Sequence, residues 1–436
     1  MKKIIFIIFI FSAIVLSGCS ISIDGEKTLE NKKWIEDIDY MDENLRIKHP
    51  DLFRYISEET WNKNLQKLKS EVKKLSDISI SLAISQIISS INDGHTSTDI
   101  LNLLTPIGKE KITLGEIFEF PIRFEYFEDE LRAVKCDRQY KEILGYKLLS
   151  INNIPTDEVI KKVSTLISYD NDQFAKERAK EYMPTYEYLK FLKIVDSDEA
   201  QYVFENDKKE EITLKVKAIK NDDVDYINLD KKESKINEKI EEQNDFYWFK
   251  EFKEDNLLYF KYNKIFTNQG ANIDKENASN YPNYYDFHYK LIDKINNNKF
   301  EKLVIDLRDN LGGKLSLVDF LTHELKYKIN LKGEDIFVIT GKKTGSAAVI
   351  LAFKLQSELG AAVVGEETGG NVNMFGTEGE FITLPNSKLM IKHPCSSINL
   401  KEDHVGGVKP DIAIKQTYEN YLNGIDDCYD YIKNLK

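Results

Sequence analysis

The chain has 436 residues, 73 Asp and Glu against 61 Lys and Arg, and a formal net charge of −12. That balance argues against nucleic acid as a partner and gives the folded surface no attraction to anionic lipid. The length provides for about two or three domains with ample material for a core. The four cysteines, Cys19, Cys136, Cys395 and Cys428, are far apart and show no C-x-x-C spacing. Neither a metal cluster nor a disulfide framework is indicated, and one disulfide is left open.

Residues 1–19 begin with Met1-Lys2-Lys3, run through the apolar stretch Ile4 to Val15, and close on Leu16-Ser17-Gly18-Cys19. The run is too short to favour a permanent span and reads as an export signal. The small residues before Cys19 resemble the lipobox of bacterial lipoproteins. That resemblance implies lipid on Cys19 and anchoring to the extracytoplasmic side of the cell membrane. An ordinary signal peptide or an uncleaved anchor would equally carry the bulk of the chain out of the cytoplasm. Residues 20–33 are polar and read as a tether.

Residues 34–104 form a helical region. Apolar spacing predicts helices from Trp34 to Lys48, Glu59 to Leu75 and Ile78 to Ile91. The last stops at Asn92-Asp93-Gly94, which places His95 on a loop. The chain has only six histidines, and histidine is the commonest general base for a serine nucleophile. Residues 105–220 are β-rich. Phe118 to Tyr126 and Leu131 to Cys136 alternate as a hairpin does, a helix is predicted from Tyr169 to Leu192, and strands near Gln201 to Glu205 and Glu211 to Ile219. The run Gly145 to Pro155 resembles the strand and turn of a PDZ-like module, which would take a peptide end by strand addition. A small structural β-domain is the other reading. Residues 221–250 read as a charged linker, dense in Lys, Glu, Asp and Asn up to Asn244.

The core, residues 251–436, carries the chemistry. Strands are predicted at Leu257 to Tyr262, Leu303 to Leu307, Ile336 to Thr340 and Ala361 to Val364, with helices between them. Strand, helix, strand is the pattern of a layered α/β core within an α+β chain. Gly270 to Pro282 reads as a loop near the cleft, and Tyr418 to Leu435 as a closing helix. Ser346 falls at a strand-to-helix turn between Gly345 and Ala347-Ala348, where unpaired N–H groups and the positive end of the helix dipole are exposed. The N–H of Ala347 is placed to stabilise an oxyanion, and the turn Gly312-Gly313 offers a second donor. The bland alternative is that Ser346 is a helix N-cap and nothing more.

Four segments decide between these readings: Asp306 to Gly313 (DLRDNLGG), Thr344 to Ala348 (TGSAA), Gly365 to Gly370 (GEETGG) and Gly407 to Ile412 (GVKPDI). In this order they resemble the tail-specific, or carboxyl-terminal processing, serine peptidases, in the branch with a tricorn-type core. The resemblance implies a ClpP/crotonase-like catalytic core and a serine endopeptidase acting on proteins or peptides, with neither metal nor organic cofactor. It implies Ser346 as nucleophile and Gly312, Gly313 and Ala347 as the oxyanion hole. Where a lysine-based branch carries its base, this chain has Gly370 and Asn371. The segment Asp93-Gly94-His95-Thr96 resembles the one that supplies a histidine base, with Gly94 where a serine is expected. An acidic residue before Gly407 is expected to orient that base: Glu402, with Asp403 second. Lys342, Lys343 and Lys354 are the fallback bases. Asp306 and Arg308 are expected to pin the glycine turn. The competing function is a catalytically inactive, peptidase-like lipoprotein that binds peptides.

Overall fold

A computed structural model describes residues 27–98, 117–237, 246–269, 281–376 and 380–435. The leader and Cys19, part of the loop after Gln269, and residues 99–116 and 238–245 lie outside them. No helix among the described residues is long and apolar enough to cross a membrane.

The C-terminal half is built on a six-stranded sheet in the order Tyr247–Phe252, Leu257–Tyr262, Lys302–Asp306, Ile336–Thr340, Ala362–Gly365, Ile412–Ala413. The first pair is antiparallel and the rest are parallel. Parallel strands buried on both faces need apolar residues at every position, and Leu257 to Phe260 and Leu303 to Ile305 supply them. Alternation then sorts the side chains. Leu258, Phe260, Leu303, Ile305, Val338 and Val363 meet the helices Tyr284–Asn297, Leu315–Tyr327 and Ala347–Lys354. Leu257, Tyr259, Val304, Phe337, Ile339 and Val364 meet Cys428, Tyr429 and Ile432 of the last helix, Asp427–Asn434. The expected closing helix is therefore two, Tyr418–Leu422 and Asp427–Asn434, separated at Gly424, whose φ is +72°.

The middle module is an antiparallel sheet in the order Tyr226–Asn228, Glu130–Asp137, Lys147–Ile151, Glu199–Glu205, Glu211–Lys217, with Ile122–Phe127 added to Glu130–Asp137. Two expectations change here. The predicted helix from Tyr169 is two, Asp172–Tyr182 and Tyr186–Phe191, because Pro184 cannot continue a helix. The charged segment after Asn221 is not a linker throughout, since Tyr226–Asn228 pairs with Lys135 to Asp137. Cys136, Cys395 and Cys428 are free.

The N-terminal helices are Asn31–Lys48, Glu58–Glu71 and Asp77–Ser89, the last two capped by Ser57 and Ser76. The first starts inside the expected tether. Their apolar faces do not close on one another alone. Trp34, Ile38, Leu65, Ile84 and Ile88 share one core with Ile382, Leu384, Leu389 and Ile391 from the other end of the chain. The backbone makes the same connection: Ser97–Thr98 pairs antiparallel with Met390–Lys392, which in turn pairs with Phe381–Thr383. This three-stranded sheet carries the loop of His95 to the C-terminal half.

Candidate active site

Ser346 follows the strand Ile336–Thr340 at its carboxyl end, where parallel sheets present their ligand sites. Thr344 fixes the turn: its Oγ1 donates to Leu307 O at 2.8 Å and accepts from Gly341 N–H at 3.0 Å. Gly345 N–H donates to Asn310 O at 2.9 Å. The turn delivers Ser346 with φ 47° and ψ −127°, a conformation costly for any residue with a Cβ and held only when the surroundings over-determine it. As the N-cap of Ala347–Lys354 its side chain makes no capping hydrogen bond. The hydroxyl lies instead 3.1 Å from His95 Nε2. The capping reading of Ser346 fails on that observation.

His95 is 9% exposed. Its N–H donates to Asp93 Oδ1 at 2.9 Å. With Nε2 turned to the serine, the buried Nδ1 has no hydrogen-bond partner; the nearest carboxylate oxygen paired with it, Asp93 Oδ1, is 3.8 Å away, too far for a hydrogen bond. Asp93 is itself buried. Its Oδ2 accepts from Thr96 Oγ1 at 2.5 Å and faces His49 Nε2 at 3.3 Å. His49 Nδ1 accepts from Asp51 N–H, which assigns the ring proton to Nε2 and makes His49 the donor. Burial alone would raise the Asp93 pKa, but the His49, Thr96 and His95 N–H bonds reverse it and hold the carboxylate below its ordinary value.

Asp170 stands on the other side of Gly94. Its Oδ1 accepts from Gly94 N–H at 2.8 Å. A Cβ at Gly94 would lie 3.0 Å from the Asp170 carboxyl carbon, so the serine expected at this position is replaced by a glycine that makes room for a carboxylate. Burial raises the Asp170 pKa, the charge of His95 opposes that rise, and Asp93 adds to it. Asp93, His95 and Asp170 offer ligand atoms within 4.8 Å of one another. Their donors are largely committed, however: His95 Nε2 faces Ser346, and both carboxylates hold backbone or side-chain donors.

The oxyanion donors separate. A Cβ at Gly312 would lie 2.7 Å from Ser346 Cβ and 2.9 Å from Ala347 N, so the glycine turn faces the nucleophile as expected. Gly312 N–H, though, already donates to Asn310 Oδ1 at 2.8 Å. Gly313 and Ala347 make no N–H hydrogen bond among the described residues, and Gly313 lines the cleft with Ser346. The N–H groups of Gly313 and Ala347 are thus left open beside Ser346, while Gly312 presents a bare Cα to it. Gly312→Ala would place a methyl there at φ +106°. The expected result is a kcat loss of roughly 10²–10³ and a stability loss of about 1–3 kcal/mol, read by peptide hydrolysis beside urea unfolding.

Other expectations move. Glu402 and Asp403 are exposed, and no contact joins either to His95. Their loop is held by Asn373 through Lys401 O and His404 O, which keeps it at the surface. The acids beside His95 are Asp93 and Asp170. Asp93 was visible two residues before the histidine; His49 and Asp170 carried no local signal. The glycine turn is pinned by Asn310, whose Nδ2 also donates to Tyr262 O at 2.7 Å. Asp306 and Arg308 fasten the strand end beneath it. Asn371, at the lysine position, donates to Asp170 O. Lys342, Lys343 and Lys354 are paired with Glu366, with Glu177 and Glu181, and with Asp319.

The sequence model of Peptidase family S41 matches residues 318–414. The matched segment contains the Ser346 turn and the GEETGG and GVKPDI motifs, on the Ser346 side of the cleft. The activity class of the chain is that of a serine-type peptidase. Among solved structures it is similar to mature CPAF complexed with lactacystin, at 13% identity over 92% of this chain and 97% of that one, TM-score 0.62. It is likewise similar to the CPAF S499A mutant, at 12% identity over 92% and 96%, TM-score 0.62. At such identities the likeness concerns the fold, which extends across the N-terminal helices and the middle module. No curated protein matches the chain by sequence.

Proposed function

We propose that this peptidase is a serine endopeptidase in which Ser346 attacks the peptide carbonyl and His95 is the base. The carrying observation is the 3.1 Å approach of Ser346 Oγ to His95 Nε2, made by a serine that forgoes its capping bond. Nε2 accepts the hydroxyl proton as the Oγ–C bond forms, and the tetrahedral oxyanion takes hydrogen bonds from Ala347 and Gly313 N–H. The imidazolium then gives that proton to the leaving amine, and water repeats the sequence on the acyl-enzyme. Asp93, held ionised by its hydrogen bonds, stabilises the imidazolium by its charge. A fluorophosphonate probe tests the nucleophile. Labelling should map to the peptide containing Ser346 and vanish in Ser346→Ala. A folded wild type that neither labels nor cleaves an unstructured protein would leave the peptide-binding lipoprotein in its place.

The protein acts outside the cytoplasm, tethered by lipid on Cys19. The basic, apolar and small-residue order of residues 1–19 supports this. Cys19→Ala is expected to lose metabolic fatty-acid labelling and leave the membrane fraction, with hydrolytic activity retained. Continued fatty-acid labelling of that variant would refute the anchor.

A further inference from the structure

Lys392 lies on Met390–Lys392, the central strand of the three-stranded sheet. Register places Ser97 and Phe381 directly opposite it on the two flanking strands, and directly opposite residues share a face. The neighbouring Ile391 points the other way and is fully buried among the N-terminal helices. The row Ser97, Lys392, Phe381 therefore faces away from that core, into the cleft of about 600 Å³ that contains Ser346 and His95.

The cleft is of mixed polarity, with Ser97, Thr98 and Ser168 among its lining, but it carries several large apolar side chains. Phe381 and Leu311 are 47% and 55% exposed, with Leu166, Phe174 and Tyr182 beside them. The other cation lining the cleft, Arg178, is engaged by Glu181 at 2.6 Å and lies against the rings of Phe174 and Tyr182. The Lys392 ammonium has no ion pair or hydrogen bond among the described residues. The acid whose charge acts on it, Asp93, is buried and already bonded to His49, Thr96 and the His95 N–H. A lysine on an edge strand guards against aggregation; this one is central. An ammonium kept unpaired against apolar surface is costly, and a ligand carboxylate would offset that cost.

We propose that Lys392 is a specificity residue that binds a carboxylate of the peptide substrate, an acidic side chain or the terminal carboxylate, flanked by apolar residues. The inference rests on the peptidase reading of the same cleft. A charge-assisted hydrogen bond of this kind corresponds to about tenfold or more in discrimination.

The test is competitive digestion of apolar peptides carrying Glu or Gln at successive positions, each with a free or an amidated C-terminus, read by mass spectrometry. The wild type should prefer Glu over Gln, or free acid over amide, by about tenfold or more; which pair responds identifies the source. The ratio should fall to about one in Lys392→Met and persist in Lys392→Arg, which keeps the charge should the methionine variant fold poorly. Equal cleavage of both pairs by the wild type, or a ratio that survives Lys392→Met, overturns the proposal while leaving the peptidase intact. If the wild type cuts nothing, the peptidase reading fails by itself. The same ratios are then measured as binding to Ser346→Ala by fluorescence anisotropy. There, a preference that Lys392→Met abolishes supports the carboxylate contact, and no preference, or one that survives the substitution, refutes it.

Discussion

Ser346→Ala should lower kcat on an unstructured protein substrate by on the order of 10⁶ with stability unchanged. The geometry makes the separation clean. The serine hydroxyl caps no helix, so the helix start loses nothing, and alanine tolerates the left-handed φ no worse than serine does. Unfolding free energies of the two proteins should agree within ~0.5 kcal/mol. His95→Ala should cost a comparable factor, and the double variant little more than either, because nucleophile and base act as one unit. Losses that multiply in the double variant would mean that the 3.1 Å contact is not the catalytic one.

The largest effect on stability is expected at Asp306. This carboxylate is 1% exposed. It accepts from Tyr259 Oη, from Lys261 Nζ at 3.0 Å and from Arg308 Nη2 at 2.8 Å, and also holds Arg308 N–H at 3.0 Å. Arg308 reaches on to Asp426 at 2.6 Å, so one cluster ties the sheet to the last helix. Asp306→Ala removes the buried acceptor that Tyr259, Lys261 and Arg308 share, leaving Lys261 only Asp309 and Arg308 only Asp426, and should destabilise by about 3–5 kcal/mol, measured as a shift in urea midpoint. Burial would raise the pKa of this group, but Arg308 and Lys261 overcome it and hold it far below the ordinary range. Its contribution is therefore complete above the unfolded value of about 3.9 and is lost as pH falls toward the folded one. The Asp306→Ala variant should show the shallower loss of stability between pH 5 and pH 2, and an equal slope in the two proteins would sink the assignment.

The parts of this molecule that were readable in advance are those with a local cause. The strand Ile336–Thr340 has the bounds expected of it, because a strand buried on both faces shows as a continuous apolar run. Ser346 and His95 could be chosen since few residue types do this chemistry and the histidines were few. What escaped notice depends on tertiary approach. Asp170 matters only because Gly94 lacks a Cβ, and that relation joins residues 76 apart. Glu402 was selected by spacing along a motif, whereas the acid beside a histidine is set by which loop folds over it. Gly312 and Gly313 look equivalent as letters; Asn310 Oδ1 takes the N–H of the first and leaves the second open. A row such as Ser97, Lys392, Phe381 emerges only when strand register is known.

His95 and Ser346 are separated by 251 positions, and the short pairing of Ser97–Thr98 with Met390–Lys392 bridges that interval. During synthesis, the chain must emerge past Lys392 before His95 has the strand that aligns it, although its own helices can form much earlier. On the proposed mechanism, competence to cleave would arrive only with that strand, well after Ser346 itself has been made. Products truncated before residue 390 should refuse fluorophosphonate even though Ser346 is present.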